Sequence, residues 1–320
     1  MAKDVTVQDP SSDPTRHSAR DLLGTAVRGA CMGAADVVPG VSGGTVALVA
    51  GIYDRLVGAA HDGARVLGRL LRGDLRGTLA GVRSFPWSFA VPLLAGMLAA
   101  VALLAGVIED ALAEHSEPMA GLFLGLVAAS ALVVHRDVAW TMRRLAMAVA
   151  VGAALFTALG WQGPPVHDPS PWALFGGGMV AACAMVLPGI SGSFLLLMLG
   201  LYAAAIEVVD GRMLADAAVL ATGAVVGLAC FSSLLVRLLA RWPHDVMAAM
   251  VGLLAGSLRV LWPWPDGVGV VSRHAGDVVS GTSLGWPDST GDLLAPALLA
   301  LLAAGLLLGV ERVARSRSAA

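Results

Sequence analysis

The chain has 320 residues, of which 57% are hydrophobic and 14% charged, with a net charge of −2. Soluble domains carry about 25% charged residues, so this composition defines a polytopic membrane protein. The near-neutral balance excludes a nucleic-acid binder, which needs a basic face.

Residues 1–20 are polar, include Pro10 and Pro14, and read as a disordered cytoplasmic tail with no cleavable signal peptide. Region 24–57 is apolar but is interrupted at its middle by Pro-Gly, which predicts two short helices meeting at a break. Segment 54–88 is rich in arginine. Apolar runs near the ~20 residues that cross a bilayer follow at 89–108, 118–134 and 145–160. A second interrupted region, 172–206, precedes three more runs at 217–236, 246–262 and 293–310, and a basic tail closes the chain.

Charge orients these segments, because cytoplasmic loops are enriched in Arg and Lys. Segment 54–88 holds Arg55, Arg65, Arg69, Arg72, Arg76 and Arg83, and loop 135–144 holds Arg136, Arg143 and Arg144. Arg237 and Arg241 lie near the next turn, and Arg312, Arg315 and Arg317 lie in the tail. Segment 109–117 instead has Glu109, Asp110, Glu114 and Glu117, segment 161–171 has no basic residue, and segment 263–292 has only Arg273. One path fits. Region 24–57 enters from the inside and returns there, three spans end outside, region 172–206 enters and leaves from outside, and three spans end inside. Each half is then a broken re-entrant hairpin plus three spans. An odd number of spans inverts the second half.

The residues repeat accordingly. GACMGAADVVPGVSGGTVALVAGIY, from Gly29 to Tyr53, aligns without a gap on GMVAACAMVLPGISGSFLLLMLGLY, from Gly178 to Tyr202, at an offset of 149. GLVAAS at 125–130 matches GLLAGS at 252–257 at an offset of 127. The 22-residue difference implies an insertion in the first half, most simply the Arg-rich segment 54–88. The expected units are 1–20, a first repeat 21–160, a second repeat 161–311 and a tail 312–320.

An inverted repeat with paired Pro-Gly interruptions points to a transporter site near the midplane. Pro39 and Pro188 stop their helices, having no N–H and clashing with the preceding turn. Gly40, Gly43 and Gly44, with Gly189 and Gly192, let the backbone turn and approach a ligand. New helices are expected to begin near Thr45 and Ser193, with free N–H groups that favour an anion. Ser42 and Ser191 add hydroxyl donors. The expected ligand is a phosphate or carboxylate.

Gly40-Val41-Ser42-Gly43-Gly44 also has the form G-x-S-x-G of a serine-hydrolase elbow. That reading needs a base near Ser42. His17, His61, His115, His135, His167, His244 and His274 all fall in the tail or in expected loops, and Lys3 is the only lysine. No metal-ligand cluster or P-loop is present, and Cys31, Cys183 and Cys230 read as small buried hydrophobes. The chain is expected not to be an enzyme and to need no cofactor.

Three charges stand near the expected site. Asp36, whose counterpart is Met185, is either a coupling or gating residue, for a proton or sodium ion, or the cap of a short helix. Arg28 either attracts phosphate or anchors at the inner face. Arg259, expected near the outer end of a span, calls for an anionic partner: a lipid phosphate, Glu207, Asp210 or Asp216. Trp262 and Trp264 read as interface anchors, and Tyr53 and Tyr202 are open to the same reading.

GAADVVPGVSGGTVALVAGIY, AMVLPGISGSFLLLMLGLY and GLLAGSLRVLWPW together resemble the DUF368 family of bacterial membrane proteins over roughly residues 22–310. The family pattern has an acid after the Tyr of each hairpin; Asp54 follows it and Ala203 departs from it. The resemblance implies a polyprenyl-phosphate transporter, a multi-pass protein of the cytoplasmic membrane with both termini inside. It would return undecaprenyl phosphate, the carrier of cell-wall precursors, across the bilayer. The alternative reading is a secondary transporter of a small soluble anion.

Overall fold

A computed structural model describes residues 19–38, 41–161, 164–211, 213–265, 267 and 284–318. Pro39 and Gly40, most of the expected tail 1–20, most of loop 263–292 and the Asp210 side chain lie outside the described residues.

Thirteen helices are present among the described residues: α1 (Ala19–Asp36), α2 (Gly43–Val49), α3 (Tyr53–Leu71), α4 (Leu75–Ser84), α5 (Trp87–Glu114), α6 (Ser116–His135), α7 (Met142–Ala158), α8 (Pro171–Val186), α9 (Gly192–Met198), α10 (Tyr202–Asp210), α11 (Leu214–Arg241), α12 (Pro243–Ser257) and α13 (Thr290–Ser318). The protein is an all-α, multi-pass membrane protein. Helices α5, α6, α11 and α13 are each long and apolar enough to cross a bilayer. Their outward side chains remain apolar, with Leu98 68% and Leu103 76% exposed on α5, as a lipid-facing surface requires.

Both interrupted regions break where expected. Helix α1 ends three residues before Pro39 and α8 two residues before Pro188, since the residue before a proline is driven out of helical backbone. The next helices start at Gly43 and Gly192, slightly earlier than Thr45 and Ser193. One span falls short. The apolar run 246–262 contains α12, which stops at Ser257, and residues 258–261 continue as turns before Pro263. Hydropathy alone does not register a helix end. The Arg-rich segment is helical too, as α3 and α4. Tyr53 to Trp87 covers 34 positions and Tyr202 to Leu214 covers 12, so the 22-residue difference falls between these helix starts.

The two halves make the same helix pairs: α1 with α5 and α8 with α11, then α6 with α13 and α12 with α7. The contacts match residue for residue. A methyl group at Gly29 would fall 2.1 Å from the Leu93 carbonyl oxygen, and one at Gly178 would fall 2.1 Å from that of Leu220. One at Gly96 would meet the Ala26 oxygen at 2.0 Å, and one at Gly223 the Phe175 oxygen at 2.0 Å. Each pair is related by the offsets of 149 and 127. Missing side chains let helices close to backbone contact, the usual way of packing where lipid supplies no hydrophobic drive between helices.

Ion pairs gather at one end. Arg136 meets Glu311 at 3.3 Å, Arg315 meets Asp137 at 3.4 Å and also Glu311, and Arg144 and Arg143 both hold Asp245, Arg144 at 2.6 Å. Loop 135–144, the α11–α12 turn and the tail therefore share one face, as the charge pattern requires.

Candidate functional site

The two breaks touch each other. Ser42 caps α2, its oxygen accepting the Gly44 N–H at 3.1 Å. Its single proton is shared between the carbonyls of Met185 at 3.3 Å and Leu187 at 3.2 Å. Thr45 Oγ1 accepts the Gly189 N–H at 2.9 Å, and the Tyr53 hydroxyl donates to the Val186 carbonyl at 3.0 Å. Helix ends leave their last carbonyls without partners. The last carbonyls of α8 are thus satisfied by hydroxyls from the first half.

Asp36 closes the first break from its other side. Its Oδ1 accepts the Gly43 N–H at 2.6 Å, and a methyl group at Gly43 would fall 2.7 Å from its Oδ2. The α2 start therefore already faces a carboxylate. The second break is arranged differently. Met185 stands where Asp36 would, Ser191 makes no side-chain cap, and the Ser191 and Ser193 hydroxyls bond each other at 2.8 Å. A cavity of about 170 Å³ lies between, lined by Asp36, Ser42, Met185, Ile190, Ser191, Gly192 and Ser193.

Gly189 is needed on two counts. Its φ is +84°, a region costly for residues with a Cβ, and a methyl group there would fall 2.9 Å from Ser257 Oγ and 3.1 Å from the Leu254 Cα. The second sequence block, GLLAGS, is thus the surface on which the second break rests. Val38 and Val41, both fully buried, pack with Val127 of α6 and Leu254 and Leu261, fixing the first break against α6 and the α12 region.

Not every expected residue meets here. Arg28 is exposed on α1, eight residues before Asp36, and does not line the cavity. Arg259 lies in the turn after α12, its guanidinium 4.8 Å from the Phe156 ring centroid and close against Gly160. It does not line the cavity either. Trp264 is buried and packs edge-on to Trp262, which also contacts Trp286, so the three form one aromatic cluster. Tyr53 is 2% exposed and holds the second break, which displaces the belt reading. His61 lies within helix α3, not in a loop, and meets Ser233 of α11 at 3.0 Å. The Ser42 hydroxyl meets main-chain groups instead of an imidazole. Sequence reasoning missed Met185 and Ile190 as lining residues, although both lie inside the quoted repeat.

Two facing helix breaks around a small polar cavity, in a bundle of bilayer-length helices, are the construction of a membrane transporter. The chain belongs to the undecaprenyl phosphate translocase-like family, whose model matches residues 32–279. It is 36% identical over 247 residues to a polyprenyl-phosphate transporter of Vibrio cholerae serotype O1, covering 77% of this chain and 79% of that one. It is 30% identical over 267 residues to a polyprenyl-phosphate transporter of Staphylococcus aureus, covering 74% of this chain and 85% of the other. These relatives are named as transporters, and the present chain is likewise a transporter rather than an enzyme. No solved structure matches it.

Proposed function

We propose that this protein is a flippase for undecaprenyl phosphate or a similar polyprenyl phosphate in the bacterial cytoplasmic membrane. It would return the carrier lipid for reuse in envelope synthesis, with both termini in the cytoplasm. The names of the two relatives and of the family support the substrate. The observation that carries the site is the cavity between the two breaks, lined by Ser42, Ser191, Gly192 and Ser193. Among the described residues the Ser191 and Ser193 hydroxyls bond each other, so both can turn to a headgroup. At about 170 Å³ the cavity is below the ~300–1,000 Å³ of a pocket that encloses a drug-sized ligand. It suits a phosphate whose chain stays outside, and Met185, half-exposed on the cavity wall, offers an apolar way out for that chain.

Movement would be by alternating access between two inverted repeats. The matched glycine contacts at offsets 149 and 127 support the repeat, and the alternation of Arg-rich and Arg-free segments along the chain supports the inversion. First-half hydroxyls hold the α8 end in this conformation. The opposite conformation would set Ser191 and Tyr202 against the carbonyls that end α1. Asp36 would then be the gate: its carboxylate occupies the α2 start and must be neutralised by a proton or a cation, or move, when a phosphate enters. Arg28 and Arg259 would attract phosphate at the two faces without entering the cavity.

Proteoliposomes with polyprenyl phosphate in the outer leaflet test this. Transport should fall sharply in the Ser191→Ala, Ser193→Ala double variant. Full transport by that variant would overturn the site assignment. Uptake of inorganic phosphate with no movement of the lipid would favour the soluble-anion alternative.

A further inference from the structure

The α3–α4 hairpin has no counterpart of equal length in the second half. Helix α10 has nine residues where α3 has nineteen, and nothing there corresponds to α4. The two helices are joined tightly. Arg69 donates to the Gly77 carbonyl at 3.1 Å, Asp74 caps α4 through the Gly77 N–H, and Gly81 packs on Val66. With that contact made on one side of α4, Leu75, Leu79 and Val82 form a stripe at spacings of four and three along the exposed side. Leu70 and Leu71 at the end of α3 extend it, and Leu71 and Leu75 are 79% and 69% exposed. Arg76 and Arg83 run beside the stripe, Arg72 lies at the turn, and none of the three is in an ion pair among the described residues.

Depth follows from the chain itself. Two residues separate α4 from Trp87, where the 28-residue α5 starts, and Phe85 and Trp87 pack together with ring centroids 4.7 Å apart. Aromatic residues at the head of a span mark the membrane–water boundary. That boundary sets the depth of the end of α4, where Val82 and Arg83 lie, and the stripe runs back from it along one side of the helix. An apolar stripe edged by arginine at this level fits the boundary between headgroups and acyl chains.

We propose that the α3–α4 hairpin is a binding surface for anionic phospholipid of the cytoplasmic leaflet. Arg72, Arg76 and Arg83 contact the phosphodiester headgroups, and Leu75, Leu79 and Val82 lie among the acyl chains. The cargo site is elsewhere, so this surface does not depend on the assignment of the cavity. The arginines act as point charges, and lysine should replace them. Each arginine near an anionic surface contributes about fivefold to binding, so three contribute on the order of a hundredfold.

The test is lipid binding by the full chain in nanodiscs of phosphatidylcholine titrated with phosphatidylglycerol, read as retained phosphatidylglycerol by native mass spectrometry and as the rise in Tm. The Arg72→Gln, Arg76→Gln, Arg83→Gln variant should lose the phosphatidylglycerol-dependent rise, and the matching lysine variant should keep it. Leu75→Ser with Leu79→Ser should weaken it with the charges intact. An equal rise in wild type and the glutamine variant would overturn the proposal. So would a rise that depends on these arginines only when polyprenyl phosphate is added, which would make the surface part of the cargo path.

Discussion

The two Pro-Gly-x-Ser-Gly breaks are near-copies in sequence and opposites in their bonding. At the first, Asp36 and Ser42 both bind α2's own leading N–H groups, while Ser42, Thr45 and Tyr53 reach across to the second. At the second, Met185 replaces the carboxylate, Phe194 replaces Thr45, and the two serines bond each other. Repeat symmetry in the chain therefore does not make the halves energetically equal. The first break directs its hydroxyls to main-chain groups, whereas at the second the Ser191 and Ser193 hydroxyls bond each other, the difference on which the proposed site rests. Substitutions in matched pairs can break this contrast or sharpen it.

The largest effect is expected at Gly189. Gly189→Ala forces a Cβ into positive φ and against Ser257 and Leu254, and should cost about 2–4 kcal/mol. Its thermal unfolding in detergent should drop by several degrees and transport should be lost. Gly58→Ala is the control, with open space around it on α3. A Gly189→Ala protein as stable as wild type would show that the second break does not rest on α12.

Next come the serines. Ser42→Ala removes a cap and leaves carbonyls of the α8 end without a donor, a loss of about 1–3 kcal/mol. Ser191→Ala should cost under about 0.5 kcal/mol, because it makes no cap, yet it should reduce transport more than stability. Equal stability losses for the two would remove the contrast between the breaks. Tyr53→Phe belongs to the same set and should cost about 1 kcal/mol through the unbonded Val186 carbonyl.

Much of this fold was legible in the chain, and the reasons are local. Proline alone does not stop a helix here, since Pro92 and Pro296 lie inside α5 and α13; it is proline followed by glycine, in a motif that occurs twice, that marks the breaks and the repeat in the chain. The 22-residue shift in offset located α3 and α4 because an insertion alters register wherever it lies. What could not be read depended on main-chain atoms in three dimensions. Tyr53 looks like a belt residue until the Val186 carbonyl is placed beside it. Arg28 and Arg259 invite a phosphate by charge alone, and only helix geometry removes them from the cavity wall. Of the two Asp36 readings the structure shows the capping one, with the carboxylate accepting the Gly43 N–H while also bordering the cavity; the coupling or gating role stays a proposal.

Asp36→Asn separates those two roles. Asparagine keeps an oxygen for the Gly43 N–H, so stability should hold, while the negative charge beside the incoming phosphate is gone. The apparent KM for polyprenyl phosphate should then fall by roughly threefold to tenfold, reflecting relief of a screened like-charge contact. Asp36→Ala, which loses the cap as well, should in addition lower the Tm. A KM unchanged by Asp36→Asn would place the headgroup away from the first break.

The smallest effect lies where α12, the support under Gly189, is clamped to α7. Hydrogen bonds from Arg144 and then Arg143 hold the Asp245 carboxyl below the usual carboxylate range. A carboxyl with a depressed folded value contributes stability that is fully present above its unfolded value, near pH 4, and is lost as pH falls through the folded value. Wild-type Tm should therefore decline more steeply than that of Asp245→Asn as pH is lowered below about 4, and the gap between them should be largest at neutral pH. The pair is at the surface and screened, so added salt should narrow the gap. Parallel pH profiles for the two proteins would show that the clamp does not hold α12, and that the close packing of Gly252 and Gly256 on Ala148 and Gly152 of α7 carries that contact.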